Sequence, residues 1–366
     1  MKTRAAVLFE PDTRLEVVTL DLEPPRAREV LVKMAAAGIC RSDWQLCSGA
    51  TPHPMPVALG HEGAGLVESV GDEVLDISPG DRVILNWAAG CDRCFYCLRG
   101  RPGLCQFFVK PIWQGTLANG TTRLSLNGAP IHHYCALSCF ADYAVVPAEA
   151  CVVICEDIPD AVAALIGCAV TTGVGAVLNT ANVPPGSSAA VLGMGGVGLS
   201  TLMGLRIAEA SLVLAVDTLD HRETLALKFG ADTFIAAYQD VVTIIGDLTG
   251  GRGIDYAFEA TGSPAVQELC LQAIRPGGTA VFIGLAPIGS STNLPGSMIT
   301  RQEKTVTGSY YGSSLPRRDF RKYVQYYLQG RLALDRLVTK TYALDQINEG
   351  FADLTRGSLA RGVVLL

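Results

Sequence analysis

The sequence lacks the excess of basic residues that is typical of proteins that bind nucleic acids or anionic membranes. Its 366 residues include 29 Lys and Arg against 35 Asp and Glu, which gives a net charge of −6 and a pI near 5.4. Because phosphate backbones and anionic lipids attract basic surfaces, this balance argues against both kinds of partner. Internal repeats, low-complexity segments and long runs of like charge are also absent. A small-molecule partner is therefore expected.

Signals for export or membrane insertion are missing as well. The first residues, Met1–Leu8, form a β-like run without a small-residue cleavage site. We find no stretch of the roughly 18 apolar residues that cross a bilayer, and we expect a cytoplasmic protein. With 49% hydrophobic residues the chain can bury a large core, and its length favours two domains.

Twelve cysteines would indicate disulfides in a small secreted protein, but here they are spread thinly through a long chain. Cys91, Cys94, Cys97 and Cys105 have metal-ligand spacing, and four thiolates can surround one tetrahedral zinc ion in a closed, structural site. An iron–sulfur cluster is the alternative, although its common spacing has a proline after the last cysteine, where this chain has Gln106. The cysteines outside the metal groups are interpreted as packing residues, namely Cys47, Cys135, Cys139, Cys151, Cys155 and Cys270.

A second, catalytic metal group is predicted from Cys40, His61 and Cys168. Two thiolates and an imidazole are zinc ligands, and three protein ligands leave the fourth position open for substrate. Taken singly, each residue has an ordinary structural interpretation as a core cysteine or a hydrogen-bonded histidine. Their occurrence beside the other motifs favours the metal site.

A glycine-rich turn predicts a dinucleotide site. It follows the apolar strand Ala189–Leu192 and precedes a predicted helix, and it consists of Gly193, Gly195, Gly196, Val197 and Gly198. In this context the glycines permit a tight turn, the approach of a pyrophosphate and close packing of helix on strand. Asp217 ends the next strand, where a carboxylate would bind ribose hydroxyls and repel a 2′-phosphate, so NAD is expected rather than NADP. A glycine-rich loop with a helix-capping aspartate is the alternative.

The pattern of apolar runs divides the chain into two domains of different class. As far as about Ile166, short runs between Gly and Pro predict an irregular β-rich domain with little helix. From about Val170 to Gly284, strands alternate with helices, which predicts an α/β domain with a doubly wound parallel sheet of the Rossmann type. We assign residues 1–169 and 305–366 to the first domain, which carries both metal groups, and residues 170–304 to the cofactor domain.

Five segments resemble the zinc-containing alcohol dehydrogenases of the medium-chain dehydrogenase/reductase family. They follow the family's order along essentially the whole chain and are Gly38–Asp43, Gly60–Gly65, the loop Cys91–Cys105, Gly167–Gly173 and Gly193–Gly198. The resemblance implies an NAD-dependent oxidoreductase that acts on CH–OH groups. It also implies a GroES-like catalytic domain, two Zn²⁺ per chain and a homodimer or homotetramer.

The resemblance further implies roles for residues around the catalytic metal. Glu62 would lie behind the zinc as a transient ligand, Asp43 would orient the zinc-bound His61, and Ser42 would accept the proton of the substrate hydroxyl. Toward the cofactor, Arg41 and Arg361 would contact the pyrophosphate, Arg222 would lie near the adenosine ribose and Thr172 would lie against the nicotinamide.

Two departures from the best-known members concern the proton path and the pocket. Gln45 stands where they often have a histidine, and an amide cannot be protonated in that role. Trp87, Tyr134 and Tyr310 align with pocket-lining residues, which would suit primary aromatic, allylic or unbranched alcohols, unless these rings only pack the core.

Other functions within the same superfamily are open at this point. They are a polyol or threonine dehydrogenase, a glutathione-linked formaldehyde dehydrogenase, and a nicotinoprotein that retains its NAD. A non-enzymatic protein that binds NAD and zinc is a further alternative, but it predicts loss of a catalytic ligand, and Cys40, His61 and Cys168 are all present.

Overall fold

The structure, a computed structural model, describes residues 1–366. Its strands are β1 (Lys2–Leu8), β2 (Glu16–Leu22), β3 (Glu29–Ile39), β4 (Val57–Ala58), β5 (Gly63–Val70), β6 (Arg82–Leu85), β7 (Leu124–Leu126), β8 (Ala129–His133), β9 (Tyr143–Pro147), β10 (Cys151–Ile154), β11 (Ser188–Leu192), β12 (Leu212–Asp217), β13 (Thr233–Ala236), β14 (Ile254–Glu259), β15 (Ile274–Phe282), β16 (Thr305–Gly308), β17 (Val338–Ala343) and β18 (Arg361–Leu365). Its α-helices are α1 (Arg41–Cys47), α2 (Val109–Trp113), α3 (Asp160–Leu165), α4 (Thr171–Gly175), α5 (Gly196–Ile207), α6 (Glu223–Lys228), α7 (Val241–Leu248), α8 (Pro264–Ala273), α9 (Gly296–Arg301), α10 (Pro316–Leu328) and α11 (Ile347–Thr355).

The chain forms two compact units. Unit 1 comprises Met1–Cys168, Leu315–Gly330 and Leu334–Leu366, and unit 2 comprises Ala169–Ser314 and Arg331–Ala333. We had placed residues 305–314 in the first domain, but β16 pairs in parallel with β15 and so belongs to the sheet of unit 2. This strand is short and partly exposed, so it lacks the continuous apolar run by which buried parallel strands are recognised.

Unit 1 is built from a closed five-stranded barrel and a seven-stranded sheet. The barrel order is β1-β2-β7-β8-β4, and the sheet order is β10-β6-β5-β3-β18-β17, with β9 also paired to β3. One core of buried aliphatic and aromatic side chains fills this unit. The C-terminal strand β18 pairs with β3, so the end of the chain returns to the element that leads to Cys40.

Unit 2 contains a six-stranded parallel sheet in the order β13-β12-β11-β14-β15-β16. Its inner strands β11 and β12 are almost continuously buried, as expected for parallel strands covered on both faces. The strand order reverses between β11 and β14, and in open parallel sheets ligands bind at the carboxyl ends beside such a reversal. The glycine-rich turn leaves β11 at this point, so the predicted fold class is confirmed.

One helical stretch contradicts our statement that no segment is long and apolar enough to cross a bilayer. Residues Asp160–Ala181 form a 22-residue helix of mean hydropathy 2.1, made of α3, α4 and two π-helical segments. Interspersed Gly and Thr residues hid this length in the sequence. In the fold, 83% of its apolar window is buried inside the protein, which is the behaviour of a core helix, so it is weak evidence for a membrane span.

Candidate metal and cofactor sites

Three separate segments of unit 1 bring the predicted catalytic ligands together. Cys40 lies between β3 and α1, His61 and Glu62 lie between β4 and β5, and Cys168 lies in the π-helical segment Ile166–Val170. One donor atom from each of these four residues lies within 4.8 Å of every other, and all four residues are buried. Helix α3, which leads to Cys168, packs against β3 and β5, so the strands that flank the other ligands also position this one.

Asp43 supports the histidine of this cluster from behind. Its Oδ1 accepts a hydrogen bond of 3.0 Å from the Gly60 N–H, and its Oδ2 lies 3.1 Å from His61 Nδ1. The other ring nitrogen of His61, Nε2, lies 4.0 Å from Glu62 Oε1, a donor atom of another residue of the cluster. A carboxylate on one nitrogen fixes the ring so that the other can bind a metal.

Arg361 contacts Glu62, and the sequence did not predict this contact. Its Nη2 donates to Glu62 Oε2, and both side chains are buried. Burial raises the pKa of Glu62 to about 7, and the positive charge of Arg361 opposes this rise. A buried guanidinium requires an anionic partner, and Glu62 is that partner in the structure. Contact of Arg361 with the pyrophosphate stays a prediction.

The donor atoms of the cluster fit a zinc ion. Two thiols, an imidazole and a carboxylate are a typical zinc set. The thiol of Cys168 donates toward Cys40 and, with His61 and Arg361, holds the pKa of Cys40 well below its ordinary value despite burial. An ionised thiol is the form that binds metal.

Aromatic rings surround the histidine of the cluster. The Tyr134 and Trp87 rings stand edge-on to His61, with centroids 5.3 and 6.4 Å away. The His53 ring packs edge-on against Tyr134 at 5.8 Å, and its Nε2 is buried without a hydrogen-bond partner. The predicted pocket residues Trp87 and Tyr134 therefore lie beside the metal cluster, whereas Tyr310 belongs to unit 2, just before the 3₁₀ turn Tyr311–Ser313.

The four-cysteine loop forms a second cluster in unit 1. Its sulfur atoms all lie within 4.8 Å of one another, and the Cys91–Cys97 and Cys94–Cys105 pairs are 4.0 and 3.9 Å apart. The backbone N–H of Cys97 lowers the pKa of the Cys94 thiol to about 6. Four sulfurs at these distances fit one tetrahedral zinc. None of the twelve cysteines forms a disulfide, but Cys155, which we interpreted as a packing residue, is exposed.

The glycine-rich turn of unit 2 has open space where a cofactor would lie. Gly193 has φ +101°, and a Cβ on Gly198 would lie 1.8 Å from the Gly193 carbonyl oxygen, so turn and helix pack too closely for side chains. A Cβ on Gly195, by contrast, would meet nothing within 4 Å. Asp217 Oδ2 accepts a 2.6 Å hydrogen bond from the Met194 N–H, which holds its carboxylate against the turn. The free N–H groups at the start of α5 fit a pyrophosphate.

The remaining predicted residues are distributed over both units. Arg41 is exposed at the start of α1, and Ser42 Oγ lies 3.8 Å from Cys40 Sγ. In unit 2, Thr172 lies in α4, and Arg222 is buried in a 3₁₀ turn, where burial lowers its pKa and Asp217 opposes that effect. Their roles toward cofactor and substrate remain predictions.

Two residues of interest were missed or underrated. Glu259 ends β14 beside the glycine-rich turn, although an acidic residue after an apolar strand is the same signal that led us to Asp217. His53 had no signal of its own, because it lies in a loop and reaches Tyr134 only through the fold.

Comparison with known proteins agrees with this geometry. The zinc-binding dehydrogenase family model matches residues 196–329, and the alcohol dehydrogenase GroES-like domain model matches residues 26–157. The S-(hydroxymethyl)glutathione dehydrogenase of Paracoccus denitrificans is 40% identical, and the class-3 alcohol dehydrogenase of Cereibacter sphaeroides 38%, each over the whole of both chains. The crystal structure of benzyl alcohol dehydrogenase from Acinetobacter calcoaceticus has a TM-score of 0.95 at 31% identity, covering 100% of this chain and 99% of that one.

The predicted enzyme class and cofactors are thereby confirmed as an oxidoreductase acting on CH–OH groups with zinc and a nicotinamide dinucleotide, and its partners are small-molecule substrates. The chain belongs to the zinc-containing alcohol dehydrogenases of the medium-chain dehydrogenase/reductase family.

Proposed function

We propose that this enzyme transfers hydride between NAD and a primary alcohol or its aldehyde, with aromatic, allylic or unbranched substrates preferred. The observation that carries the proposal is the pair of rings, Trp87 and Tyr134, that stand edge-on to the metal-ligating His61. Rings at this place would make the space beside the metal apolar and narrow, which would favour a flat or unbranched carbon chain next to the reacting carbon. The likeness to a benzyl alcohol dehydrogenase supports an aromatic substrate.

In the proposed mechanism, Cys40, His61 and Cys168 would hold a zinc ion, which would supply Lewis-acid polarisation of the alcohol oxygen. The glycine-rich turn would hold the dinucleotide, which would supply the hydride acceptor. The protein groups orient the reactants and move the proton. Ser42 Oγ, close to Cys40, would accept the hydroxyl proton while its own proton passes to the cofactor ribose, and Asp43 would keep His61 in its ligating orientation. Gln45 aligns water for the onward transfer, because its amide does not titrate near neutral pH.

The proposed preference for NAD depends on the carboxylate at the end of β12. Asp217 is held against the glycine-rich turn by the Met194 N–H, where it would accept bonds from ribose hydroxyls and repel a 2′-phosphate. A structural relative from Sinorhizobium meliloti, 25% identical with a TM-score of 0.82, is bound to NADP, so both cofactors must be compared directly. A lower Kd for NADP than for NAD would contradict the proposal.

A second candidate substrate, S-(hydroxymethyl)glutathione, is favoured by sequence identity. The relative from Paracoccus denitrificans that is 40% identical carries this substrate in its name. The substrate is a large anionic peptide adduct, so it requires space and cationic groups beyond the metal. Formaldehyde oxidation that depends on added glutathione and exceeds benzyl alcohol oxidation would favour this candidate.

The test is a panel of alcohols with purified, zinc-loaded protein, followed by absorbance of released NADH at 340 nm. Benzyl, allyl and n-alkyl alcohols are compared with secondary alcohols, polyols and formaldehyde plus glutathione. We expect primary alcohols to rank first and Trp87→Ala to raise kcat/KM for branched alcohols relative to the parent enzyme. An unchanged ranking in Trp87→Ala would show that this ring lies off the pocket.

The same measurement tests whether the enzyme retains its NAD. Turnover with an external acceptor but without release of NADH would indicate a nicotinoprotein. A homodimer or homotetramer and a cytoplasmic location stay predictions.

A further inference from the structure

Glu259 is a buried carboxylate with one oxygen left without a partner. It is the last residue of β14 and is 0% exposed. Its Oε1 accepts three hydrogen bonds, from the Thr261 N–H at 2.5 Å, the Thr261 hydroxyl at 2.6 Å and the Gly262 N–H at 2.7 Å. Its Oε2 is buried and has none. Because an unpaired buried oxygen destabilises a fold, this arrangement calls for an explanation.

The position of Glu259 mirrors that of Asp217 across the reversal of strand order. Strand β11 has β12 on one side and β14 on the other, and its last residue, Leu192, is in register with Val216 and Glu259. Both neighbouring strands thus end in a carboxylate at the edge where the glycine-rich turn begins. Asp217 uses both oxygens, on the N–H groups of Met194 and Leu219, whereas Glu259 keeps one oxygen free.

The segment that Glu259 holds is in direct contact with the glycine-rich turn. A Cβ on Gly193 would lie 2.6 Å from Thr261 Cγ2, and the Ala260 N–H donates to the Leu192 carbonyl at 2.9 Å. On the side away from the glycine-rich turn, this segment packs against Leu285. A Cβ on Gly262 would lie only 2.3 Å from the Leu285 carbonyl oxygen. Glu259 therefore fixes the backbone at the ends of β11, β14 and β15.

These contacts alone do not require a charged residue. A glutamine at this position offers an amide oxygen that accepts the same three hydrogen bonds. What glutamate adds is a negative charge and the unpaired Oε2. The reason for the carboxylate therefore lies in an interaction outside the protein's own hydrogen bonds.

We propose that Glu259 makes the nicotinamide half of the cofactor site prefer the oxidised, cationic ring over the neutral reduced ring. A dinucleotide lies across the reversal of strand order, and Asp217 assigns the adenosine half to the β12 side. The nicotinamide half then lies on the side of β14 and β15. A carboxylate shielded from water attracts the positive ring of NAD⁺ and has little effect on NADH, because the local dielectric is low. The inference rests on the proposed NAD-dependent function.

The test compares dissociation constants of NAD⁺, NADH and ADP-ribose for the zinc-loaded protein by isothermal titration calorimetry. In Glu259→Gln we expect the ratio of Kd for NAD⁺ to Kd for NADH to rise about tenfold, as loss of a charge in a low-dielectric site predicts. ADP-ribose has no nicotinamide ring, so its Kd should not change. The ratio comes from one preparation and does not depend on the fraction of protein that is folded.

Two further variants separate charge from shape. Glu259→Asp keeps the carboxylate and should keep the ratio of the wild-type protein, even if both cofactors bind more weakly. Glu268→Gln makes the same change on α8, where Oε1 accepts from the Asn293 N–H, and should leave the ratio unaltered. An unchanged ratio in Glu259→Gln, or an equal shift in Glu259→Asp, would overturn the inference alone. Wild-type protein that binds no dinucleotide would overturn the proposed function and this inference with it.

Discussion

The two cysteine-containing clusters of unit 1 use similar ligands but are built in opposite ways. The predicted structural cluster comes from one short loop, Cys91–Cys105, whose 3₁₀ turns are brief and whose Phe95, Leu98 and Leu104 side chains are exposed. The catalytic cluster comes from three segments that β3, β5 and α3 carry into the core. The loop has little regular structure of its own, so we expect its metal to contribute directly to folding. The predicted catalytic ligands are held by strands and a helix of the core, which fits the proposed role of their metal in the reaction rather than in folding.

The polar groups that contact the metal ligands also differ between the two clusters. Two of the four residues of the predicted catalytic cluster contact a buried side chain, since Asp43 lies behind His61 and Arg361 lies against Glu62. In the four-cysteine loop, the thiols of Cys94 and Cys105 instead face backbone N–H groups of the loop and of the residues just after it. Supporting side chains preserve ligand geometry when the metal exchanges a bound molecule, which a structural ion never has to do.

The largest expected effect is a loss of activity when a ligand of the predicted catalytic cluster is replaced. Cys168→Ser should reduce kcat/KM on the order of 10³-fold or more, because Lewis-acid stabilisation is worth several kcal/mol. Zinc per chain, measured by plasma emission spectroscopy, should fall from about two to about one, with the circular dichroism spectrum unchanged. Cys151→Ser changes another buried thiol of unit 1, which lies outside both clusters, and should retain both zinc ions. Full activity of Cys168→Ser would remove this residue from the site.

The matching change in the loop should act on stability. Cys97→Ser should lower the free energy of unfolding by roughly 3 kcal/mol or more, because loss of a structural metal is among the most damaging single changes. Turnover per folded molecule should stay close to that of the parent enzyme. Chemical denaturation and active-site titration measure the two quantities, and the exposed Cys155→Ser is the control. Turnover lost in fully folded protein would mean that the loop takes part in the reaction.

A smaller effect tests the support behind the histidine. Asp43→Asn keeps an oxygen for the Gly60 N–H but turns an amide N–H₂ toward His61 Nδ1, which disfavours the ligating orientation. Zinc affinity or turnover should fall about 10- to 100-fold, the usual loss when such a partner is removed. Competition with a chelator measures the affinity, and the exposed Asp345→Asn serves as control. Equal zinc affinity and turnover in both variants would show that the contact between Asp43 and His61 contributes neither to zinc binding nor to catalysis.

Local patterns allowed much of the fold and both ligand sets to be predicted. The bounds of strands β5 and β6 could be predicted because Gly and Pro separate these apolar runs from their neighbours. The glycine-rich turn could be predicted because an apolar strand precedes the glycines and a helix follows them. Helix α7 was missed because its β-branched Val and Ile residues do not favour helix, although Asp240 caps it through the Thr243 N–H. The 160–181 helix was missed because Gly and Thr interrupt it.

What the sequence could not show is the pairing of distant side chains. Arg361 and Glu62 are 299 residues apart, and only the pairing of β18 with β3 brings the end of the chain to the metal ligands. The membership of β16 in the parallel sheet likewise depends on β15 rather than on its own residues. Such contacts are decided by packing, so motifs identify the ligands but not the groups that position them.

The smallest effect concerns the proton path along α1, the helix that follows Cys40. Gln45 is half-buried one turn after Arg41, and its amide can only align water. Oxidation by the parent enzyme should therefore favour alkaline pH without a step near 6.5, the ordinary pKa of histidine. In Gln45→His the imidazole accepts the proton only when neutral. The rate of alcohol oxidation should thus rise as pH increases through about 6.5 and then level off, with a gain of a few-fold near neutral pH, on the order of 2- to 5-fold.

Stopped-flow measurement of the first turnover is needed, because slow NADH release would hide the proton step. The competing base is His53, whose Nδ1 lies 2.9 Å from the Pro54 carbonyl and whose ring packs on Tyr134. Burial lowers the pKa of His53, so a step caused by this residue would lie below 6.5 rather than at it. A parent profile with such a low step, abolished in His53→Gln, would make His53 the proton acceptor. Gln45 would then have no part in the proton path. The alcohol proton would leave the site by way of His53 and Tyr134 rather than along α1.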